Sequence, residues 1–287
     1  MKGMVVFLAV WLGCVGMTHA ASCRVVTLAP NLTEIVCLLE PGSLIGRAAH
    51  EPAPDAARAC PVVGSYFRPD IEKIVALRPD VCLAVRDGTP PRSIERLRNL
   101  GIEVLTTAPD SFAGLREAIL TIGKRLGCQK RAQKIAEDLD ARLYALDRMV
   151  AQARTRPRTL FQVQASPPLF AGEKTFADEL IRRAGGLNPA SGGKEYPLLG
   201  LEEVLGLEPE VIILTQMARA EQAVRVWRRF SHMPAVRDDR IHIVPADLFS
   251  QPTPRSIEAL EQLVTLLHPE LTFSSAPRMR EEPWELK

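Results

Sequence analysis

Two tyrosines and two glutamates recur in this chain at one spacing, and they offer chemistry of two kinds. Tyr66 and Tyr196 stand 130 residues apart, and so do Glu72 and Glu202. A tyrosine presents a flat apolar face with a hydroxyl at its edge, which suits stacking on a large planar ligand. A glutamate in the first turn of a helix presents a solvated negative charge, which suits orienting a basic partner. Both pairs sit inside longer matching blocks, SYFRPDIEKIVALRPDVCLAV from Ser65 to Val85 and EYPLLGLEEVLGLEPEVIILT from Glu195 to Thr215. Leu77/Leu207, Pro79/Pro209 and Val81/Val211 are identical at the same offset. Each block reads as an aromatic loop, a short helix, a Pro-acidic break and a buried strand. Solenoid repeats have periods of about 20–50 residues, so two copies this far apart imply two similar lobes instead.

Patterns for covalent or metal chemistry are missing from the sequence. No Gly-x-Ser-x-Gly nucleophile elbow occurs. Gly192-Gly193-Lys194 lacks the first glycine and the Ser/Thr of a phosphate-binding loop. His50, His232 and His242 form no cluster, His19 and His268 lie near the ends, and no Cys-x-x-Cys is present. No metal site is therefore expected. A hydrolase on a two-lobe α/β scaffold, the reading from another class, would need a nucleophile–base pair that no motif supplies.

The elements that must position the two blocks flank one long segment. Gln129 to Arg154 contains no Gly or Pro, and Ala132, Ile135, Leu139, Leu143, Leu146 and Val150 recur at helical steps. Such a helix would be about 39 Å long and suits a strut between lobes. On either side, strand-like runs (RVVTL, VCLAV and IEVLTT before it; TLFQVQ, VIILT and IHIVP after it) alternate with helical segments. That alternation predicts an α/β fold: two Rossmann-like lobes with parallel sheets, joined by one backbone helix. The expected division is 21–126, 127–156 and 157–270, with an aperiodic, mobile tail over 271–287. Helix starts are expected at Asn31 (with Glu34 as its reciprocal cap), Asp70, Thr175 and Ser256.

Composition narrows the class. With 46% hydrophobic and 24% charged residues and a net charge of +2, the chain is globular and has no basic block for nucleic acid. Residues 1–20 carry a single lysine, an apolar run and Thr18-His19-Ala20, the pattern of a cleavable secretory signal. Trp11 argues against a lipoprotein site at Cys14. The expectation is an exported, periplasmic protein. Five cysteines follow the signal, and Cys23 with Cys60, each ahead of a strand-like run, is the favoured disulfide.

At this point RVVTLAPNLTEIV and the two repeated blocks resemble a known family. It comprises the substrate-binding proteins of ABC importers for vitamin B12, iron siderophores and haem. The resemblance runs from about Arg24 to Leu267, and the vitamin B12-binding branch is nearest. It implies capture of a cobalamin-like ligand between two lobes, with haem or a ferric siderophore as the alternative. It also implies delivery to a permease dimer with its ATPase subunits by a binding protein that acts as a monomer, without a cofactor of its own. By position, Glu72 and Glu202 match the permease-docking glutamates of the family. His50, Tyr66, Phe67, Phe170, Tyr196 and Asp247 match ligand-facing places. Asn31, at the first strand end, either caps its helix or faces ligand. Val85 and the segment near Gln251 depart from the B12-binding pattern, and Arg255 lies one turn further on.

Overall fold

A computed structural model describes residues 23–49, 53–86, 88–216, 220–250 and 252–271. The signal over 1–20, His50 and the tail from residue 272 lie outside these described residues. The first half forms β1 (Val25–Thr27), α1 (Pro30–Leu39), β2 (Leu44–Arg47), a small hairpin of β3 (Gly64–Ser65) and β4 (Arg68–Pro69), α2 (Ile71–Ala76), β5 (Val81–Val85), α3 (Pro91–Asn99), β6 (Glu103–Thr107) and α4 (Phe112–Arg125). Strands β2, β1, β5 and β6 lie side by side in that order, all parallel. Helix α5 (Gln129–Val150) follows. The second half forms β7 (Thr159–Gln164), β8 (Leu169–Phe170), α6 (Phe176–Arg183), α7 (Leu201–Gly206), β9 (Val211–Thr215), α8 (Ala220–Trp227), α9 (Pro234–Arg237), β10 (Ile241–Val244), α10 (Ala246–Phe249) and α11 (Ser256–Leu267). Its sheet runs β10-β9-β7-β8, parallel except for the antiparallel edge strand β8. Val25, Val26, Val81, Cys82, Ile212 and Ile213 are fully buried, because crossover helices cover both faces of each sheet.

The repeat extends to single hydrogen bonds. Helices α2 and α7 begin 130 residues apart, as do β5 and β9. Each helix is followed by a residue in the left-handed region, Arg78 (φ 48°) and Glu208 (φ 45°). That conformation costs a non-glycine residue about 1 kcal/mol or more, so something must hold it. An arginine at the head of the neighbouring strand does so in both lobes. Arg24 donates from Nε to Arg78 O and from Nη2 to Leu77 O, and Arg158 donates from Nε to Glu208 O. The Asp80 and Glu210 carboxylates in turn accept from the backbone N–H of Arg24 and Arg158.

Helix α5 has 22 residues, about 33 Å of length. It stops short of Arg154 because the chain loosens into turns, Gln152 to Met149 and Ala153 to Val150, ahead of Pro157. Ala132, Ala136, Leu139, Leu143 and Leu146 form its buried stripe. Arg116–Asp140 (2.7 Å) ties it to α4 and Arg142–Glu261 (2.7 Å) ties it to α11. Gly123 lets α4 lie close to it, since a side chain there would strike Ala132. One apolar cluster runs through Ile35 and Leu115, then Leu139 and Leu143, then Leu180 and Leu263. The core is therefore continuous across both lobes and the strut.

Several local expectations change. Asp70 and Thr175 cap α2 and α6 as expected, accepting from Lys73 N and Asp178 N at 3.1 Å. Asn31 does not cap α1: the helix starts at Pro30, Ala29 is its extended N-cap, and Asn31 Oδ1 accepts from the adjacent Leu32 N–H. Ser256 is the first residue of α11 instead of its cap, and its Oγ accepts from Thr253 N. The Cys23–Cys60 bridge is not formed. Cys23 Sγ faces Arg125 Nη1 at 3.2 Å, whereas Cys60 Sγ donates to Leu44 O at 3.3 Å.

Candidate functional site

In open parallel sheets, ligands bind beyond the C-terminal ends of the strands. In the first lobe those ends carry Ala29–Thr33 after β1, Arg86, Gly88 and Thr89 after β5, and Thr107 at the close of β6. In the second lobe they carry Thr215 at the close of β9, then Asp247, Thr253 and Arg255 after β10. The Oγ1 atoms of Thr107 and Thr215 are buried with no hydrogen-bond partner among the described residues. A buried hydroxyl without a partner is costly, and such atoms concentrate where a ligand or water completes the set.

Tyr66 is half-buried and meets Phe67 edge-on, with ring centroids 4.8 Å apart. Its phenol lies against Gly88, where any side chain would collide with it. The glycine thus seats the tyrosine at the end of β5. Thr89 Oγ1 accepts from Val85 N (3.2 Å) and closes the turn. Phe67 is 70% exposed beside it. Tyr196 is half-exposed, held between Glu195 O and Pro197 O, which accept from Gly172 N and Phe170 N. Burial raises the pKa of its phenol, and the Glu195 carboxylate adds to the effect. Arg86, exposed at the same strand end as Tyr66, has no ion-pair partner among the described residues.

Phe170 is a correction. It is fully buried in β8, packed against Trp227 with centroids 6.4 Å apart. Trp227 Nε1 donates to the buried Gln162 Oε1 at 2.8 Å, which locks this corner of the second core. Phe170 is a core residue and does not line a cleft. Asn31 is also buried, 8% exposed, on its own helix turn.

The lobes meet at a polar cluster in which Asp247 and Arg255, both named from the sequence, are joined by a residue the sequence assigned only to a helix cap. Glu34, on α1, faces Arg255, Thr253 and Asp247 from the second lobe. Burial raises its pKa most; Arg255 and then Thr253 pull it back, and the Asp247 and Glu258 carboxylates push it up again. Arg255 Nη1 lies 3.9 Å from Asp247 Oδ2, and its charge also favours the Glu34 carboxylate of the other lobe. A second inter-lobe contact joins α4 to α6. Phe112 N donates to Glu179 Oε2 (2.9 Å), the Phe112 ring meets Phe176 (5.2 Å), and Arg183 lies over that ring while pairing with Glu179 and Asp147.

Glu72 and Glu202 occupy the same place on α2 and α7, both exposed. Other side chains handle the helix starts there: Asp70 caps α2, and the Glu203 carboxylate accepts from Gly200 N (2.6 Å). Neither Glu72 nor Glu202 is in an ion pair among the described residues.

Comparison with known proteins covers the same span. The profile of a family described as periplasmic binding protein matches residues 25–248. The vitamin B12-binding protein of Vibrio cholerae is 29% identical over 248 residues, covering 85% of this chain and 88% of that protein. The crystal structure of the periplasmic vitamin B12-binding protein of Vibrio cholerae superposes with a TM-score of 0.78 at 27% identity, covering 86% of this chain and 97% of that one. The periplasmic haem-binding protein BhuT, in complex with two haems, gives a TM-score of 0.78 at 26% identity, covering 87% and 99%.

Proposed function

The chain belongs to the periplasmic binding protein family, and from that premise we propose that it captures a cobalamin-like ligand between its lobes. It then delivers the ligand to an ABC importer, a permease dimer with its ATPase subunits. The carrying observation is the Glu34–Asp247–Thr253–Arg255 cluster, in which α1 of the first lobe meets the residues that follow β10 of the second. Tyr66, Phe67 and Tyr196 supply flat apolar surface at its rim, and Arg86, Asp247 and Arg255 supply polar anchors. The chain acts as a binding protein without a catalytic step, exported through residues 1–20. Similarity to a vitamin B12-binding protein over 85% of the chain supports the ligand class.

Docking rests on Glu72 and Glu202. Each projects from the same turn of its lobe, left unpaired by its own helix cap. Two exposed carboxylates at matched places, without an ion-pair partner among the described residues, give a two-point contact for basic side chains of the permease, which fixes orientation and speeds encounter.

Haem is the second reading. A haem-bound relative superposes equally well, and the half-buried Tyr66 phenol could serve as an axial oxygen. Calorimetry of the mature protein against cyanocobalamin, haem and a ferric siderophore separates these. One-to-one cobalamin binding without a Soret shift on haem addition is expected. A Soret shift without cobalamin binding would replace the ligand, and no binding of any of the three would remove the cleft reading.

A further inference from the structure

Away from the cleft, a cavity of about 710 Å³ lies between the end of α5, the linker that follows it and α6. That volume falls within the range of about 300–1,000 Å³ typical of small-molecule sites. The cavity sits at the opposite end of the second sheet from the cleft. Leu187, on its wall, accepts from Thr159 N at the start of β7, whereas the cleft lies beyond the C-terminal strand ends. Gly185, at φ 81°, turns the chain out of α6 and around the cavity, at a place where a side chain would strike His268 and Val150.

The hydrogen bonds around this cavity leave donors over and no carboxylate. Asp178 and Asp147 both line it. Asp178 is 2% exposed. Its Oδ1 accepts from Asn188 Nδ2 (2.9 Å) and Ser191 Oγ (2.7 Å), and its Oδ2 accepts from Arg182 Nε (3.0 Å). Both Asp147 oxygens accept from Arg183 Nη1, at 3.2 and 3.0 Å, and Arg183 Nε is held by Glu179 at 2.9 Å. Arg183 therefore braces the wall. The other two arginines on the wall are different. Arg182 uses only its Nε, so its two Nη groups have no partner among the described residues. Its guanidinium is nevertheless anchored, because that Nε is tied to a buried carboxylate. Arg156 is exposed and makes no hydrogen bond or ion pair among the described residues. A guanidinium fork matches the paired oxygens of a carboxylate or phosphate. Val150 and the 48% exposed Leu187 add apolar wall beside the arginines.

We propose that this cavity is a second binding site, for a small organic acid or a phosphate whose oxyanion is held by Arg156 and Arg182. Asp178 is a positioning residue. Asn188 and Ser191 fix its carboxylate, which takes the Nε of Arg182 and leaves the Nη edge to the ligand. With its oxygens already bonded, the carboxylate repels an incoming anion little. The site is built within the second lobe and the end of the strut, so its occupation does not depend on the cleft.

Calorimetry of the mature protein at low ionic strength, with citrate and separately with inorganic phosphate, tests this. Saturable binding of at least one anion is expected, weakening as sodium chloride is raised to about 0.15 M, because an open site is screened by salt. Arg156→Ala should weaken that binding about tenfold, the loss expected for a hydrogen bond to a charged group. Tm should stay within about 2 °C, since Arg156 has no partner in the fold to lose. Arg182→Gln should weaken binding at least as much; if that variant fails to fold, Arg156→Ala alone decides. Arg86→Ala, at the cleft, should leave the anion affinity unchanged. Binding of citrate marks a carboxylate site and binding of phosphate a phosphate site. No saturable binding of either anion, or binding that Arg156→Ala leaves unchanged, overturns the proposal.

Discussion

Replacing Phe170 by alanine separates a core role from a ligand-facing one. The ring is fully buried, beside Leu160 and Ile212 of the sheet and Trp227 of α8. Removing a buried phenyl group costs about 3–5 kcal/mol, because the transfer energy is lost and the void closes only partly. Here the void can close little. Two of its walls belong to hydrogen-bonded strands, and the third is Trp227, whose Nε1 is held by Gln162 at 2.8 Å. At about 2–4 °C per kcal/mol for a protein of this size, Tm should fall by roughly 6–20 °C. Ligand affinity, measured by calorimetry well below the lowered Tm, should change less than about threefold. Phe170→Leu keeps most of the volume and should recover most of the loss. An alanine variant with unchanged Tm and a tenfold or greater loss of affinity would refute the core assignment and restore Phe170 to the cleft.

Three further outcomes follow from the site. Glu72→Ala with Glu202→Ala should leave ligand affinity intact and abolish uptake in cells; normal uptake removes the docking role. Tyr66→Ala with Tyr196→Ala should weaken ligand binding by more than about tenfold, since each stacked aromatic contributes on the order of 1 kcal/mol; unchanged affinity removes both from the cleft. The third concerns pH. Because the folded pKa of Glu34 lies above the ordinary carboxylate range, the folded state holds its proton to higher pH than the unfolded chain does. Stability is thus greatest below the ordinary glutamate pKa and falls as pH rises through the folded value. Glu34→Gln should therefore gain in Tm relative to wild type on going from about pH 4 to about pH 8, and a pH-independent difference would show that Glu34 titrates normally.

The parts of the fold legible in the sequence were those with long or repeated patterns. The strut's apolar stripe spans several turns, so periodicity alone located it. The repeated blocks carried their own break, Arg78-Pro79 and Glu208-Pro209, which the backbone turns at positive φ. Short-range cues misled where tertiary partners decide. Phe170 matched a ligand-facing place of the family, yet it sits in β8, a two-residue edge strand with no period to detect. Asn31 and Glu34 matched a capping pattern, yet Pro30 starts the helix and Glu34 turns to a partner in the other lobe. Nothing near Glu34 in sequence signals Arg255. Cys60 was paired with Cys23 because both precede strands. Pairing depends on which face a thiol enters, and Cys60 Sγ turns to Leu44 O while Cys23 meets Arg125.

The inter-lobe contacts set how far the cleft can move. A wide hinge opening would strip Phe112 N–H of the Glu179 carboxylate, pull Phe112 from Phe176 and Arg183, and split the apolar cluster that runs through α5. A hydrogen bond to a charged group alone contributes about 1.5–3 kcal/mol, and exposing the core between lobes costs more. A ligand shifts such an equilibrium only by the difference between its affinities for the two states. Any large closure would therefore consume much of the binding energy of a ligand held mainly by stacking. The cheaper arrangement keeps the lobes fixed and leaves recognition to the cleft lining. In that arrangement the ligand does not report its arrival by domain closure, so a permease docked through Glu72 and Glu202, as proposed, would have to sense the ligand directly.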